Sequence, residues 1–266
     1  MKQTLKRIVN RTGLKRKHIA AARMFGERHL LATTSHRGRR PSGRILCYHS
    51  VGQPDMGVND VTPAQFRRHI ELAKSAGFRF VPASTIAQTG GSPMDLAITF
   101  DDGLKSVQTH AAPILKDYDI PWSVFVVSEW SDQRHDWSKD FVLAWRDLAR
   151  LLDEGAEIGS HSATHPNFGT IDAAQMADEL VDSRRAIERE LGFTPKSFAI
   201  PLGQSMNWPI AAADAAREAG YDIVYAQAEE TRPNDTVPRT FVTRFDGDRI
   251  FNALLRGAYD RWEEWT

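Results

Sequence analysis

Two short stretches of the sequence combine residue types that can carry out hydrolysis. The apolar run "LAITF" ends in the adjacent carboxylates Asp101 and Asp102, and "EIGSHSATH" contains His161 and His165. Two carboxylates beside a buried strand are costly to desolvate and repel each other, so a cation is expected nearby. One of the aspartates could instead cap a helix that begins near Leu104, but this alternative accounts for only half of the pair.

A divalent metal ion is a cation that fits this set of residues. Two neutral imidazoles and one carboxylate form a three-ligand site with open positions, as in catalytic zinc sites and those of related metals. The second carboxylate could then accept a proton from water as the water attacks a carbonyl carbon. The pattern therefore predicts metal-assisted hydrolysis of an amide or ester. A His-x-x-x-His pair alone is common by chance, so this prediction depends on the aspartates as well.

The elements that must position these residues alternate along the chain. The strand candidates are "RILCYH", "FRFV", "LAITF", "WSVFVV", "AEIGS", "SFAI", "DIVYA" and "TFVTRF", and helical segments separate most of them. This α/β alternation from residue 45 onward predicts a parallel sheet with helices outside, either open or closed into a barrel. In a barrel, the chemistry lies at the carboxyl ends of the strands. His49, the two aspartates, His161 and Pro201 all follow strand candidates in this way.

The two motifs together give a resemblance to a known family. "TFDDG" followed by "EIGSHSATHPNF" resembles the first two motifs of the polysaccharide deacetylases (NodB-like proteins, carbohydrate esterase family 4), and the likeness extends from "RILCYHSVG" to "VPRTFV". It implies an irregular (β/α) barrel with fewer than eight regular strands, and removal of N-acetyl, less often O-acetyl, groups from acetylated carbohydrates. It also implies that Asp101 is the catalytic base and that Asp102, His161 and His165 bind the metal. Zinc is the first expectation, and cobalt or nickel would suit the same ligands.

Four further candidates arise where this chain departs from the family pattern. The loop "FAIPLG" lacks the family's Arg and Tyr, but the backbone N–H of Leu202 could still stabilise an oxyanion, unless the loop is only a turn. Arg239 is the candidate to orient the base, with surface exposure as the alternative. Because no Leu-x-His motif supplies a general acid, His49 is the candidate, or it is a histidine hydrogen-bonded to a carbonyl. Trp137 could stack on a sugar ring or simply pack, as could Trp130.

The charge of the chain is unevenly distributed. Residues 1–44 contain 13 Lys or Arg against the single acid Glu27, although the net charge of the whole chain is zero. We expect residues 1–43 to form a basic helical or disordered arm with a linker, and residues 44–266 to form a polysaccharide deacetylase-like catalytic domain. The arm mixes apolar and basic residues, so it could bind an anionic membrane surface. Nucleic acid is not an expected partner because no aromatic or groove-reading motif accompanies the charge.

The remaining expectations concern compartment and alternative functions. The N-terminus lacks a signal-peptide-like apolar stretch and no segment reaches transmembrane length, so we expect a cytoplasmic location or a peripheral one on the inner face of the membrane. The lone Cys47 excludes a disulfide framework and is expected in the core. Two other functions stay open: a metal-dependent hydrolase of a non-sugar amide or ester, and a non-catalytic carbohydrate-binding or assembly protein. No feature of the sequence indicates an oligomeric state.

Overall fold

The computed structural model describes residues 16–34, 40–227 and 235–263, and a parallel β-barrel lies at its centre. The strands are β1 (Arg44–Tyr48), β2 (Ser50–Val51), β3 (Asp60–Val61), β4 (Arg79–Phe80), β5 (Asp95–Phe100), β6 (Trp122–Val126), β7 (Glu157–Ser160), β8 (Ser197–Ala199), β9 (Ile223–Gln227) and β10 (Val237–Phe241). Seven of them close the barrel in the order β1-β5-β6-β7-β8-β9-β10, and β10 pairs back to β1. This confirms the predicted irregular (β/α) barrel with fewer than eight regular strands.

Helices surround the barrel, and two of them show how the sequence sets their ends. Pro63 occupies the first turn of its helix, directly after Thr62, whose hydroxyl accepts a hydrogen bond from the Gln65 N–H. The longest helix after the linker ends at Gly192, which has a φ of 75°. The helices are α1 (Arg16–Thr34), α2 (Pro63–Ser75), α3 (Ala83–Thr89), α4 (Ala112–Asp117), α5 (Ser128–Ser131), α6 (Asp136–Phe141), α7 (Trp145–Asp153), α8 (Ala173–Leu191), α9 (Ile210–Glu218) and α10 (Asp248–Leu255).

The last strand differs from its predicted position. The sequence predicts a strand over "TFVTRF", but β10 begins at Val237 and ends at Phe241. The carboxylate of Asp246 accepts hydrogen bonds from the backbone N–H and the hydroxyl of Thr243. These bonds form a turn just beyond Phe241, so residues 242–245, the last four of the predicted strand, form a loop at the carboxyl end of the barrel.

The core lies mainly between the barrel and its surrounding helices. Strands β1, β5 and β6 are buried at every position, as expected for parallel strands covered on both faces. Helices α2 and α4 contribute the fully buried side chains of Phe66 and Leu115 to the largest apolar cluster. Burial of the strands leaves their carboxyl-end loops as the places where polar residues can gather.

Helix α1, which belongs to the predicted basic arm, packs against the domain. Its Arg28 is fully buried and forms an ion pair with Asp246. The Arg28 guanidinium lies 4.3 Å from the centroid of the Tyr259 ring. The part of the arm before Arg16 lies outside the described residues, and the division of the chain at residue 43 stays a prediction. Among the helices described, none combines the length and apolar character needed for a membrane span.

Candidate active site

A cavity of about 220 Å³ opens at the carboxyl end of the barrel, where the predicted residues meet. Asp101 and Asp102 follow β5, and His161 directly follows β7. His165 reaches the same cavity from the loop after His161, and Arg239 reaches it from β10. Residues that are up to 138 positions apart in sequence therefore share one site.

Asp102, His161 and His165 form a cluster with the chemistry of a metal site. Their potential ligand atoms all lie within 4.8 Å of one another. The Asp102 Oδ1 atom is 3.6 Å from Nε2 of each histidine. The Nδ1 atom of His161 lies 2.8 Å from the Ala199 carbonyl oxygen. A hydrogen on Nδ1 therefore satisfies that carbonyl and leaves the Nε2 lone pair directed at the cluster, as metal-binding histidines require.

Burial keeps His161 in the neutral form that binds metals. Loss of hydration lowers the pKa of His161 to about 4, and the neighbouring His165 acts in the same direction. Asp101 and Asp102 oppose this shift without reversing it. His161 is therefore neutral near pH 7, and two imidazoles with one carboxylate make a donor set suited to a divalent ion.

The loops that carry the cluster hold an unusual backbone conformation. Asp102, Ser162 and His165 have φ values of 69°, 69° and 66°, in the left-handed region that costs energy for residues other than glycine. The Ser162 hydroxyl accepts a hydrogen bond from the His165 N–H at 2.9 Å. From α8, the Glu179 carboxylate accepts hydrogen bonds from two further backbone N–H groups of this loop. These bonds hold the strained loop in one conformation and so fix the position of His165.

Asp101 forms a buried, bidentate ion pair with Arg239. The two guanidinium nitrogens lie 2.6 and 2.7 Å from the two carboxylate oxygens. Burial alone would raise the pKa of Asp101, but attraction to Arg239 and His161 and the hydrogen bonds from Arg239 outweigh it and hold that pKa well below its usual range. Arg239 is 3% exposed, so the alternative of a surface arginine does not hold. The Cys47 thiol lies 3.3 Å from Asp101 Oδ2, which places this residue in the site as well as in the core.

His49 and Leu202 lie on the wall of the same cavity. The His49 ring packs edge-to-face on Phe241 at 5.2 Å, and its buried Nδ1 atom has no hydrogen-bond partner. Leu202 has a φ of 64° and sits in a turn where the Gly203 N–H donates to the Ile200 carbonyl. In the described part of the chain, the Leu202 N–H has no acceptor. A residue that lines the cavity therefore has a backbone donor that the turn itself does not use.

The structure places Trp137 beside the site rather than in the wall of the cavity described here. Its ring is 42% exposed and packs edge-to-face on Trp130 at 4.9 Å. Trp130 in turn stacks on His165, with ring centroids 5.3 Å apart.

Sequence reasoning did not assign a place in the cavity to Gln227, which also lines it. Its position at the carboxyl end of "DIVYAQ" was the available signal.

Comparisons with known proteins agree with this architecture. The family model described as polysaccharide deacetylase matches residues 89–224. A chitin deacetylase from Colletotrichum lindemuthianum is 27% identical over 124 residues, which cover 46% of this chain and 48% of that protein. The peptidoglycan-N-acetylglucosamine deacetylase PgdA of Listeria monocytogenes is 25% identical over 137 residues, which cover 50% of this chain and 27% of that protein. The chain spans less than two thirds of the length of the curated relatives it matches.

Solved structures share the fold over most of this chain. IcaB from Ammonifex degensii aligns with a TM-score of 0.68 and 21% identity over 84% of this chain and 99% of its own. The Streptococcus pyogenes deacetylase PplD aligns with a TM-score of 0.67 and 18% identity over 80% of this chain and 96% of its own. The family match covers about half of the chain and contains both aspartates and both histidines of the site. The chain therefore belongs to the polysaccharide deacetylase family.

Proposed function

We propose that this chain is a metal-dependent hydrolase that removes N-acetyl groups, and in some substrates O-acetyl groups, from an acetylated carbohydrate. The observation that carries the proposal is the Asp102, His161 and His165 cluster beside an ionised Asp101 held by Arg239. A metal cluster alone would suit many functions. The adjacent second carboxylate supports hydrolysis, because a binding protein has little use for a proton acceptor there.

Zinc is the proposed metal, held by Asp102, His161 and His165. The two nitrogen donors and one oxygen donor match a catalytic zinc site, and cobalt or nickel would fit the same set. A bound divalent ion would supply Lewis acidity toward the acetyl carbonyl and would lower the pKa of a nearby water. The remaining steps depend on residues of the chain.

Asp101 is the proposed proton acceptor. The Arg239 guanidinium holds its carboxylate ionised against the opposing effect of burial, and the two hydrogen bonds fix it in one orientation. As water attacks the acetyl carbon, Asp101 accepts the proton that the water loses. Arg239 does not itself need to touch the substrate, so its proposed role is to position and ionise the base.

Leu202 is proposed to stabilise the developing oxyanion, and His49 is proposed to protonate the leaving amine. The available Leu202 N–H would donate a hydrogen bond to the acetyl oxygen as negative charge develops on it. Cleavage of the C–N bond leaves an amine nitrogen that needs a proton, and His49 lies on the cavity wall with its Nδ1 atom unpartnered. His49 would provide that proton as a general acid.

Acetate release from N-acetylglucosamine oligomers tests the proposal. The purified protein should release acetate, lose this activity in chelator and regain it on addition of zinc. The Asp101→Asn variant should lose about 10²-fold or more of the rate, since it removes the proton acceptor. The Asp132→Asn variant changes an aspartate outside the cavity and serves as the matched control.

The other outcomes identify which part of the proposal fails. Activity that persists unchanged in chelator would contradict metal dependence. Acetate release from simple amides or esters but not from sugars would favour a non-sugar substrate. Oligomer binding without any acetate release would favour a carbohydrate-binding or assembly role.

An anionic membrane surface is the proposed partner of the basic arm, with the protein in the cytoplasm or on the inner face of its membrane. The 13 Lys or Arg of residues 1–44 support this, and helix α1 exposes Ile19, Phe25 and Leu30. Sedimentation with anionic liposomes should weaken as salt rises. Deletion of residues 1–15 removes five of these basic residues, leaves α1 in place and should weaken binding; unchanged sedimentation would exclude this segment as the anchor.

A further inference from the structure

A buried acceptor without a partner lies in the wall of the catalytic cavity. Gln227 is the last residue of β9 and is 8% exposed. Its Oε1 atom is buried and accepts no hydrogen bond from any described residue. A buried carbonyl oxygen that has lost its water and gained no donor is unfavourable, so such atoms are rare in folded proteins and call for an explanation.

The barrel directs this side chain into the cavity. Gln227 pairs with Arg239 across the parallel strands β9 and β10. Paired residues of neighbouring strands point to the same face, and Arg239 points inward to Asp101. The Gln227 N–H donates to the Gly203 carbonyl at 2.9 Å. Gly203 has a φ of 67°, and a Cβ atom there would lie only 3.1 Å from the Gln227 Cβ. The close approach at Gly203 therefore sets Gln227 directly against the Leu202 turn.

Among the described residues, no donor lies within hydrogen-bond distance of this acceptor. The paired nitrogens of the Arg239 guanidinium are committed to Asp101. The Gln227 oxygen is thus set up to accept a hydrogen bond from a molecule that enters the cavity.

We propose that Gln227 accepts a hydrogen bond from the N–H of the scissile acetamido group and so makes the site selective for amides over esters. This inference rests on the proposed function. An acetamido group carries one acceptor, its carbonyl oxygen, and one donor, its N–H, on neighbouring atoms. Leu202 and Gln227 both line the cavity, on two segments joined by the hydrogen bond from the Gln227 N–H to the Gly203 carbonyl, so one residue can supply a backbone donor and the other a side-chain acceptor.

An acetate ester meets a mismatch at the same place. The ester oxygen that replaces the amide nitrogen has no hydrogen, so the Gln227 oxygen would stay buried and unpaired in the complex. Sites built to bind a substrate N–H or O–H discriminate strongly against analogues that lack it, because the protein's polar group is then left without a partner.

Binding in an Asp101→Asn background tests this inference without requiring turnover. The probes are a trimer of N-acetylglucosamine and a β-1,4-linked glucose trimer that carries 2-O-acetyl groups. The Asp101→Asn protein should bind the N-acetyl trimer at least about tenfold more tightly than the O-acetyl trimer. Equal affinity for the two trimers would overturn the proposal, whatever the behaviour of any Gln227 variant.

Two variants of similar size separate the acceptor from the packing of the side chain. Adding Gln227→Met removes the acceptor and should weaken binding of the N-acetyl trimer about 10- to 100-fold, with the O-acetyl trimer changed by less than about twofold. Adding Gln227→Glu keeps an acceptor and should restore most of the N-acetyl affinity. An equal loss for both trimers in Gln227→Met would overturn the proposal, because it would indicate a packing role or a contact to a shared hydroxyl.

The outcome is distinguishable from failure of the proposed function. Acetate release by the unaltered protein tests that function, whereas these affinities do not depend on turnover. Zinc content should be the same in all variants, since Gln227 is not among the metal-cluster residues. Two results together would overturn the inference and assign the side chain a structural role. These are loss of zinc from the Gln227→Met variant and failure of the Gln227→Glu variant to restore selectivity.

Discussion

The Asp101–Arg239 pair is the residue-level feature on which the proposed chemistry depends most. Both side chains are buried, so each charge is compensated mainly by the other. Removing one partner of such a pair leaves an uncompensated buried charge, which costs more than removing both partners together. The same contact therefore contributes to the stability of the fold and to the proposed catalysis.

A double-mutant cycle should expose this coupling. We expect Arg239→Gln to lower the free energy of unfolding by about 3–5 kcal/mol, because Asp101 is left buried without its cation. The double variant Asp101→Asn with Arg239→Gln should be more stable than Arg239→Gln alone, since two neutral amides replace the broken pair. Urea denaturation of the four proteins measures the cycle. Additive effects of the two substitutions would contradict the coupling.

The metal cluster gives a second prediction at the residue scale. If Asp102, His161 and His165 bind zinc in the folded state, zinc at about 100 times its dissociation constant should stabilise the protein by about 2.7 kcal/mol. Thermal unfolding with and without zinc measures this. The His165→Ala variant should lose most of the zinc-dependent shift. The exposed His135 lies outside the cluster, so His135→Ala should retain the shift; its loss there would indicate zinc binding elsewhere.

At the scale of elements, helix α1 is attached by a buried arginine. Arg28 ion-pairs with Asp246 and lies over Tyr259 and Trp262, whereas Arg23 on the same helix pairs with Glu27 at the surface. We expect Arg28→Ala to destabilise the docked helix by about 3–5 kcal/mol, because it leaves the buried Asp246 carboxylate without its cation. Limited proteolysis within residues 16–43 should accelerate accordingly.

Arg23→Ala is the matched control for this helix. Exposed ion pairs contribute about 0–1 kcal/mol, so cleavage in Arg23→Ala should stay close to that of the unaltered protein. Equal acceleration of cleavage in both variants would contradict this prediction. It would mean that the helix is held by its length or its overall charge rather than by the Arg28 contact.

Helix α2 provides a prediction for pH dependence. Its His69 stacks on Phe251, accepts a hydrogen bond from the Tyr48 hydroxyl through Nδ1, and donates one from Nε2 to the Asp246 carbonyl. Burial is the main cause that lowers the pKa of His69 below its ordinary value. The folded state therefore holds His69 neutral at pH values where the unfolded chain binds a proton.

The lowered pKa of His69 makes the folded state less stable as the pH falls. The stability contributed by neutral His69 is fully present above the unfolded pKa of about 6.5 and is lost as the pH falls from there toward the lower folded pKa. Free energies of unfolding measured between pH 8 and 5 should decline more steeply for the unaltered protein than for His69→Phe, which cannot titrate. Identical slopes would show that other buried groups, such as His161, account for the decline.

At the scale of the whole molecule, closure of the barrel is what makes one site out of separate segments. Parallel strands direct their carboxyl ends to the same edge, and closure brings β10 back to β1, which neighbours β5. Arg239 on β10 thereby reaches Asp101 at the end of β5, and Gln227 on β9 reaches the Leu202 turn after β8. An open sheet with the same strands would hold β5 and β10 far apart.

The sequence alone identified the reactive groups, and its resemblance to the polysaccharide deacetylases implied the kind of barrel that carries them. Adjacent aspartates after an apolar strand and a spaced histidine pair are local patterns, and alternation of apolar strands with amphipathic helices is a short-range signal. Together with the family resemblance, these patterns predicted that Asp101, Asp102, His161 and His165 would meet at the carboxyl ends of the strands. Helix ends such as Pro63 and Gly192 were also predictable, because they depend on the conformational limits of single residues.

The tertiary structure decided which distant residues complete the site. From the sequence, Arg239 was either the residue that orients the base or an exposed arginine. Barrel closure buries it against Asp101 and so identifies it as the partner of that carboxylate. The unpaired oxygen of Gln227, the thiol of Cys47 beside Asp101 and the docking of Arg28 on Asp246 have no local signature. The last two contacts join residues 54 and 218 positions apart, and such pairings are set by the packing of the folded chain rather than by neighbours in sequence.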